Sequence, residues 1–126
     1  MDKFQLGKFG ENIACDFLLE NDYKIIERNF RKPWGELDII AKAPHRTLVF
    51  VEVKTLQFRS EQAAEEGLQP EEQLTKAKLQ KLKRAASLYA GHYPELIKDE
   101  RGWRIDLLAL IVKEKSYNIK YYENIA

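Results

Sequence analysis

Gly35-Glu36-Leu37-Asp38-Ile39-Ile40-Ala41 and, after a polar break at Lys42 to Arg46, Thr47-Leu48-Val49-Phe50-Val51-Glu52-Val53-Lys54 decide the fold. Both runs are rich in β-branched and aromatic residues. The break holds Pro44 and has the length of a hairpin loop, so the pattern predicts two antiparallel strands. Side chains alternate along a strand. Glu36, Asp38 and Ile40 are therefore expected on one face of the first strand, and Phe50, Glu52 and Lys54 on one face of the second. A turn centred on His45 pairs residues whose numbers sum to 90, which sets Asp38 against Glu52 and Glu36 against Lys54. Opposed side chains point the same way with Cβ atoms about 5 Å apart. A slip of one residue would undo this arrangement. Three carboxylates and one ammonium then share a small patch of sheet. Facing carboxylates repel, and a hard divalent cation with oxygen ligands offsets that repulsion; Lys54 offsets part of it unaided.

The chain has 126 residues and a mass of 14.8 kDa, which sets a single domain, 1–126, as the expectation. It is 44% hydrophobic and 33% charged, enough for a core under a well-solvated surface. A formal net charge of +1 excludes a strong global field for nucleic acid, so any such binding must come from a local patch. The single cysteine, Cys15, excludes an internal disulfide and suits a reducing cytosol. No apolar run reaches the roughly 20 residues of a membrane span. Met1-Asp2-Lys3-Phe4 lacks a signal-peptide signature. A cytoplasmic protein is expected.

Lys3 to Asn21 reads as an amphipathic helix with Leu6, Phe9, Gly10, Ile13 and Phe17 on one stripe, extended by Ala14 and Leu18. Glu11 lies on the edge of that stripe. It is either a boundary glutamate reaching water or a carboxylate pointing over the sheet. Asn21-Asp22 stops the helix, and Tyr23 to Phe30 reads as a strand. Arg28, Arg31 and Lys32 form a small basic cluster before a bend at Pro33-Trp34-Gly35, where Trp34 reads as a packing residue. Thr55 to Gln73 is polar and acidic, and is expected to be a mobile loop near the site.

Leu74 to Ala90 reads as a second helix, with Leu79, Leu82, Ala85, Ala86 and Tyr89 buried and Lys76, Gln80, Lys83 and Arg84 opposite. Lys78 falls inside the apolar face, where it either snorkels or faces a polar site above the sheet. Clustered cations on this helix usually mean a solvated surface, yet Lys76, Lys78 and Lys81 are also the best phosphate contacts the chain offers, with Arg28 and Arg31. Gly91-His92-Tyr93-Pro94 ends the helix. Arg104 to Lys113 reads as a buried strand interrupted by Asp106, and Tyr117 to Tyr122 as an edge strand. The order is helix, three strands, helix, strand, strand.

Phosphodiester hydrolysis asks a protein for charge and position. Carboxylates holding a divalent metal activate a water and offset phosphate charge. A lysine orients that water or stabilises the developing charge. Asp38, Glu52 and Lys54 supply this set, and Glu11 would complete the outer shell of the metal. With only oxygen ligands on offer, the cofactor would be Mg²⁺ or Mn²⁺. Glu-x-Lys on a strand is common by chance, and its plain reading is a cross-strand ion pair worth about 0.2–1 kcal/mol. Asp38 opposite Glu52 is what raises the metal reading above it. His45 and His92 sit far apart in turns, which speaks against a zinc site with Cys15. There is no Gly-rich phosphate loop and no nucleophile elbow.

Gly7-Lys8-Phe9-Gly10-Glu11-Asn12-Ile13-Ala14, Arg28-Asn29-Phe30-Arg31, Gly35 to Ala41 and Leu48 to Lys54 together resemble the YraN family of uncharacterised bacterial proteins. The resemblance continues through Lys78 and Ala85-Ala86 to Arg104-Ile105-Asp106 and so covers nearly the whole chain. That family is similar to archaeal Holliday-junction resolvases and belongs to the PD-(D/E)xK nuclease superfamily. The resemblance implies an α/β fold with a restriction-endonuclease-like αβββαβ core, its mixed central sheet flanked by helices. By position it makes Asp38 and Glu52 metal ligands, Lys54 the catalytic lysine, and Glu11 the helix-one glutamate of resolvase-like members. Two departures stand out: Leu37 rather than proline precedes Asp38, and Leu56 stands where the family usually has an arginine.

The implied function is a metal-dependent DNA endonuclease acting on branched, Holliday-junction-like or duplex DNA, working as a homodimer. The alternative is a catalytically silent nucleic-acid- or protein-binding module on a nuclease fold. A third reading makes the carboxylates and lysine a surface ion network only.

Overall fold

The computed structural model describes residues 1–58, 74–98, 100 and 102–126. Most of the expected acidic loop, residues 59–73, lies outside the described residues. Its first residues do not belong to a loop: Thr55 to Gln57 continue the third strand.

Asp2 caps the first helix, α1 (Lys3–Glu20), by accepting from the Gln5 backbone N–H at 2.8 Å, while the Gln5 side chain accepts from the Asp2 N–H at 3.0 Å. This reciprocal pair satisfies two donors that a helix start leaves open. After Asn21-Asp22 the chain enters β1 (Lys24–Lys32), turns through Pro33-Trp34 into β2 (Gly35–Lys42), and returns as β3 (Leu48–Gln57). Thr75 caps α2 (Lys76–His92) through Lys78 N at 3.2 Å, which starts the helix two residues later than periodicity alone suggests. A 3₁₀ turn (Pro94–Leu96), β4 (Trp103–Val112) and β5 (Tyr117–Tyr122) complete the order.

The five strands form one sheet in sequence order. All neighbours are antiparallel except β3 and β4, which run parallel because α2 crosses between them. The helices cover opposite faces. Ala14, Cys15 and Leu18 of α1 pack with Ile39, Ala41, Val49, Val51 and Leu108. Leu82, Ala85, Ala86 and Tyr89 of α2 pack with Leu37, Ile40, Leu48, Phe50 and Ile105, and Trp34 joins that margin against Phe30 and His92. The inward stripe of α1 is thus centred on Gly10, Ala14 and Leu18, with Ile13 and Phe17 half-buried at its rim. Among the described residues, no helix is long and apolar enough to cross a membrane.

Two glycines set how closely the helices approach. A Cβ on Gly10 would lie 1.9 Å from Thr55 Oγ1, and one on Gly35 would lie 2.6 Å from the Ala85 Cβ. Any side chain at Gly10 would push α1 away from β3 beside Lys54. The fold of the described residues is therefore mixed α/β, a five-stranded mixed sheet between two helices with a restriction-endonuclease-like core.

Candidate active site

The β2–β3 ladder runs from Lys42↔Leu48 to Ile39↔Val51, in the register expected from a turn centred on His45. Beyond Val51 the two strands part. β3 stays paired with β4 as far as Gln57↔Val112, and β2 stays paired with β1 as far as Lys32↔Gly35. The sheet forks where Asp38 and Glu52 stand. A fork leaves backbone groups without a ladder partner, and such groups must be satisfied otherwise. Here the Val53 N–H donates to Asp38 Oδ2 at 2.9 Å.

Strict alternation fails at this place. Leu37 and Ile40 join the same core cluster while Ile39 joins the other. Across from Asp38 in the β1–β2 register sits Asn29, whose φ of 52° is left-handed, a conformation asparagine tolerates better than most residues. Asp38 consequently lines clefts on both faces of the sheet rather than sharing one face with Glu36 and Ile40. Glu36 has left the β3 side as well. It pairs with Arg31, at 2.8 Å between side chains, instead of opposing Lys54.

The first cleft, about 510 Å³, lies under α2 and is lined by Trp34, Glu36, Asp38, Glu52, Lys54, Lys78, Lys81 and Arg84, among others. The second, about 650 Å³, lies under the first turns of α1 and is lined by Glu11, Asn29, Arg31, Asp38, Lys54 and Thr55, among others. Asp38 and Lys54 border both, so the clefts meet at that pair.

The electrostatics follow from crowding. Burial, the hydrogen bond to Asp38 and the Asp38 charge together push the Glu52 carboxyl from 4.5 up to about 9, against the opposing pull of Lys54 and Lys78. At neutral pH with no cation the pair therefore holds a proton, with Glu52 donating to Asp38. Two carboxylates that share a proton are a donor set that a small hard cation can take over. Mg²⁺ commonly uses one or two carboxylates and completes its shell with water and phosphate. No three His, Cys, Asp or Glu side chains converge among the described residues. The fit is to a two-carboxylate site.

The fold does not bring every candidate to the same point. Glu11 shares the α1-side cleft with Asp38 and Lys54, but its carboxylate lies 3.4 Å from Arg28, which also donates to Asn12 Oδ1 at 2.7 Å. Arg28 is thereby held against α1. Arg31 borders the α1-side cleft. Lys78 and Lys81 border the α2-side cleft, so Lys78 takes the second of its two readings and faces a polar site. Lys76 is exposed and does not line that cleft, whereas Arg84 does. A long side chain at the edge of a helical arc reaches around it, which a wheel of Cβ directions does not show.

Asp106, fully buried, is paired rather than placed at the end of the sheet. It accepts from Arg104 Nε at 3.0 Å, from the Tyr121 hydroxyl and from Asn124 N at 2.9 Å. Arg104 also donates to the Tyr23 hydroxyl at 3.0 Å. Burial and then the Asp106 hydrogen bond raise the Tyr121 hydroxyl well above its ordinary value. For Arg104, burial opposes the charge, and Asp106 outweighs it and raises the guanidinium. This cluster ties the residue before β1 to β4, β5 and Asn124, with Asp106 opposite Val51 in the β3–β4 register.

An acidic pair and a lysine at a fork in a mixed sheet, between two covering helices, define the class: a restriction-endonuclease-like α/β domain. A family model described as uncharacterised protein family UPF0102 matches residues 10–110. Similar proteins of that name include one from Thermodesulfovibrio yellowstonii, 40% identical over 98% of this chain and 97% of its own length. Another, from Caldicellulosiruptor bescii, is 37% identical over 92% and 90%. A third, from Campylobacter concisus, is 34% identical over 100% and 97%. The chain belongs to the UPF0102 family, also called the YraN family.

Proposed function

We propose that this protein is a metal-dependent endonuclease that hydrolyses phosphodiester bonds in DNA, with branched DNA as its preferred form. The observation that carries the reading is the convergence of Asp38, Glu52 and Lys54 on one cleft at the fork, with Asp38 and Lys54 bordering both clefts. Asp38 and Glu52 would hold Mg²⁺ or Mn²⁺, and Glu11 would orient water in its outer shell. Bound there, the cation would activate a water and neutralise charge on the scissile phosphate.

The chain's own groups have distinct parts. Asp38 is oriented by the Val53 N–H, which donates to Asp38 Oδ2. Glu52 would have to release its proton to solvent for both carboxylates to hold the cation. Lys54 brings a positive charge to the pentacovalent transition state and positions the attacking water. Lys78, Lys81 and Arg84 hold the phosphate backbone along the α2-side cleft. Cutting two strands of a junction symmetrically would require two copies of the chain.

The pairing of Glu11 with Arg28 favours a second reading, a non-cleaving nucleic-acid- or protein-binding module, because it draws one carboxylate away from the metal. Calorimetric titration with Mn²⁺ in buffers of different ionisation enthalpy, run beside a cleavage assay, separates the two. The nuclease reading expects binding with release of close to one proton at neutral pH, and DNA cutting; both are lost in Asp38→Asn. Absence of Mn²⁺ binding by the wild type would overturn it.

A further inference from the structure

Phe4, Gly7, Glu11, Ala14 and Leu18 of α1 follow one another at the three- and four-residue spacing of one line along the helix. Its exposure changes sharply along its length. Ala14 and Leu18 are fully buried and the Glu11 side chain is 14% exposed, yet Phe4 is 79% exposed. Isolated apolar side chains on a surface need no explanation. Phe4 differs because it lines the α1-side cleft that reaches Asp38 and Lys54. Lys3, Lys8 and Arg31 line the same cleft, and Leu6 adds an apolar wall. Its two carboxylates, Glu11 and Asp38, belong to the candidate site.

We infer that this cleft binds the unpaired strand of a DNA substrate, with Phe4 stacking on a base and Lys3, Lys8 and Arg31 contacting phosphates. The inference rests on the nuclease reading and specifies its substrate as DNA with a single-stranded segment next to the cut. A positively charged groove combined with an aromatic platform is the physical recipe for single-strand binding, and it tolerates sequence because every base has a π-face. At about 1.5 Å per residue, seven residues of helix set Phe4 roughly 10 Å from Glu11. At about 3.4 Å per nucleotide that is a span of about three stacked nucleotides. The cleft volume of about 650 Å³ suits a short length of one strand, not a duplex. Bases inside a duplex also offer no free face to Phe4.

The test is fluorescence anisotropy of the 126-residue chain in EDTA, so that nothing is cut. The probes are a short labelled oligothymidylate and a labelled blunt duplex. Phe4→Ala should weaken oligothymidylate binding by about 5- to 100-fold, the range for loss of one base–aromatic stack, and change duplex binding by no more than about twofold. Phe4→Trp should retain single-strand affinity, and the new indole should be quenched on adding unlabelled oligothymidylate. Unchanged single-strand binding in Phe4→Ala would overturn the inference, as would an equal loss on both probes or an unquenched indole in Phe4→Trp. Failure here leaves the nuclease reading standing if Mn²⁺-dependent cutting is still lost in Asp38→Asn. Phe4-dependent binding by a wild type that never cuts would defeat the nuclease reading alone.

Discussion

Replacing Glu52 by glutamine should make the metal-free protein more stable, and the gain should grow with pH. Glutamine keeps the shape and the donor toward Asp38 but carries no charge at any pH. In the wild type, burial, the Asp38 hydrogen bond and the Asp38 charge raise Glu52 from 4.5 to about 9. Between those values the folded state binds more protons than the unfolded state, so stability falls as pH rises. Each pH unit in that window costs up to about 1.4 kcal/mol, and the two and a half units up to pH 7 cost roughly 3 kcal/mol. Glu52→Gln escapes this loss. For a chain of this size, 3 kcal/mol corresponds to roughly 10 °C in Tm. Thermal unfolding in EDTA at pH 5, 7 and 8.5 measures it. The two proteins should melt within a few degrees of each other at pH 5 and separate progressively above it. A difference that stays constant with pH, or a less stable variant at pH 7, would refute the proton-sharing carboxylate pair.

Four further outcomes follow from the same geometry. Mg²⁺ or Mn²⁺ at a hundredfold excess over Kd should stabilise the wild type by about 2.7 kcal/mol, and Asp38→Asn should lose that gain in the same melting assay. Lys54→Ala should bind Mn²⁺ with near wild-type affinity by calorimetry while losing cleavage; cutting at the wild-type rate would remove Lys54 from the mechanism. Gly10→Ala should cost about 1–3 kcal/mol in urea unfolding because its Cβ meets Thr55 Oγ1 at 1.9 Å, and Thr55→Ala in the same chain should recover part of the loss. Asp106→Ala should cost about 3–5 kcal/mol, since it leaves the Arg104 guanidinium without its buried partner.

The hairpin register was legible in the sequence because alternation and one short turn determine it together. The end of the ladder was not, since Asp38 and Glu52 obey the same alternation whether or not the strands stay paired. The left-handed Asn29 opposite Asp38 carries no pattern of its own, and it accompanies the break that turns Asp38 toward both faces. Lys78 was readable as an ammonium inside an apolar stripe. Arg84 was hidden because its reach depends on side-chain length more than on helical angle. Arg104 and Asp106 stand two apart in a strand and so share a face, a signal for a charge pair; its partners Tyr23, just before β1, and Tyr121, on β5, are brought to it only by the fold. The Asp2–Gln5 capping box was also present in the letters and fixes where α1 begins.

Cleavage of a labelled four-way junction beside a matching linear duplex tests the central claim most directly, with Mn²⁺, with EDTA, and with Asp38→Asn. Mn²⁺-dependent cutting by the wild type, favouring the junction and absent in EDTA and in the variant, is the predicted result. Intact DNA under all conditions, with Mn²⁺ shown to be bound, would contradict the assignment of the Asp38–Glu52 fork as a hydrolytic centre.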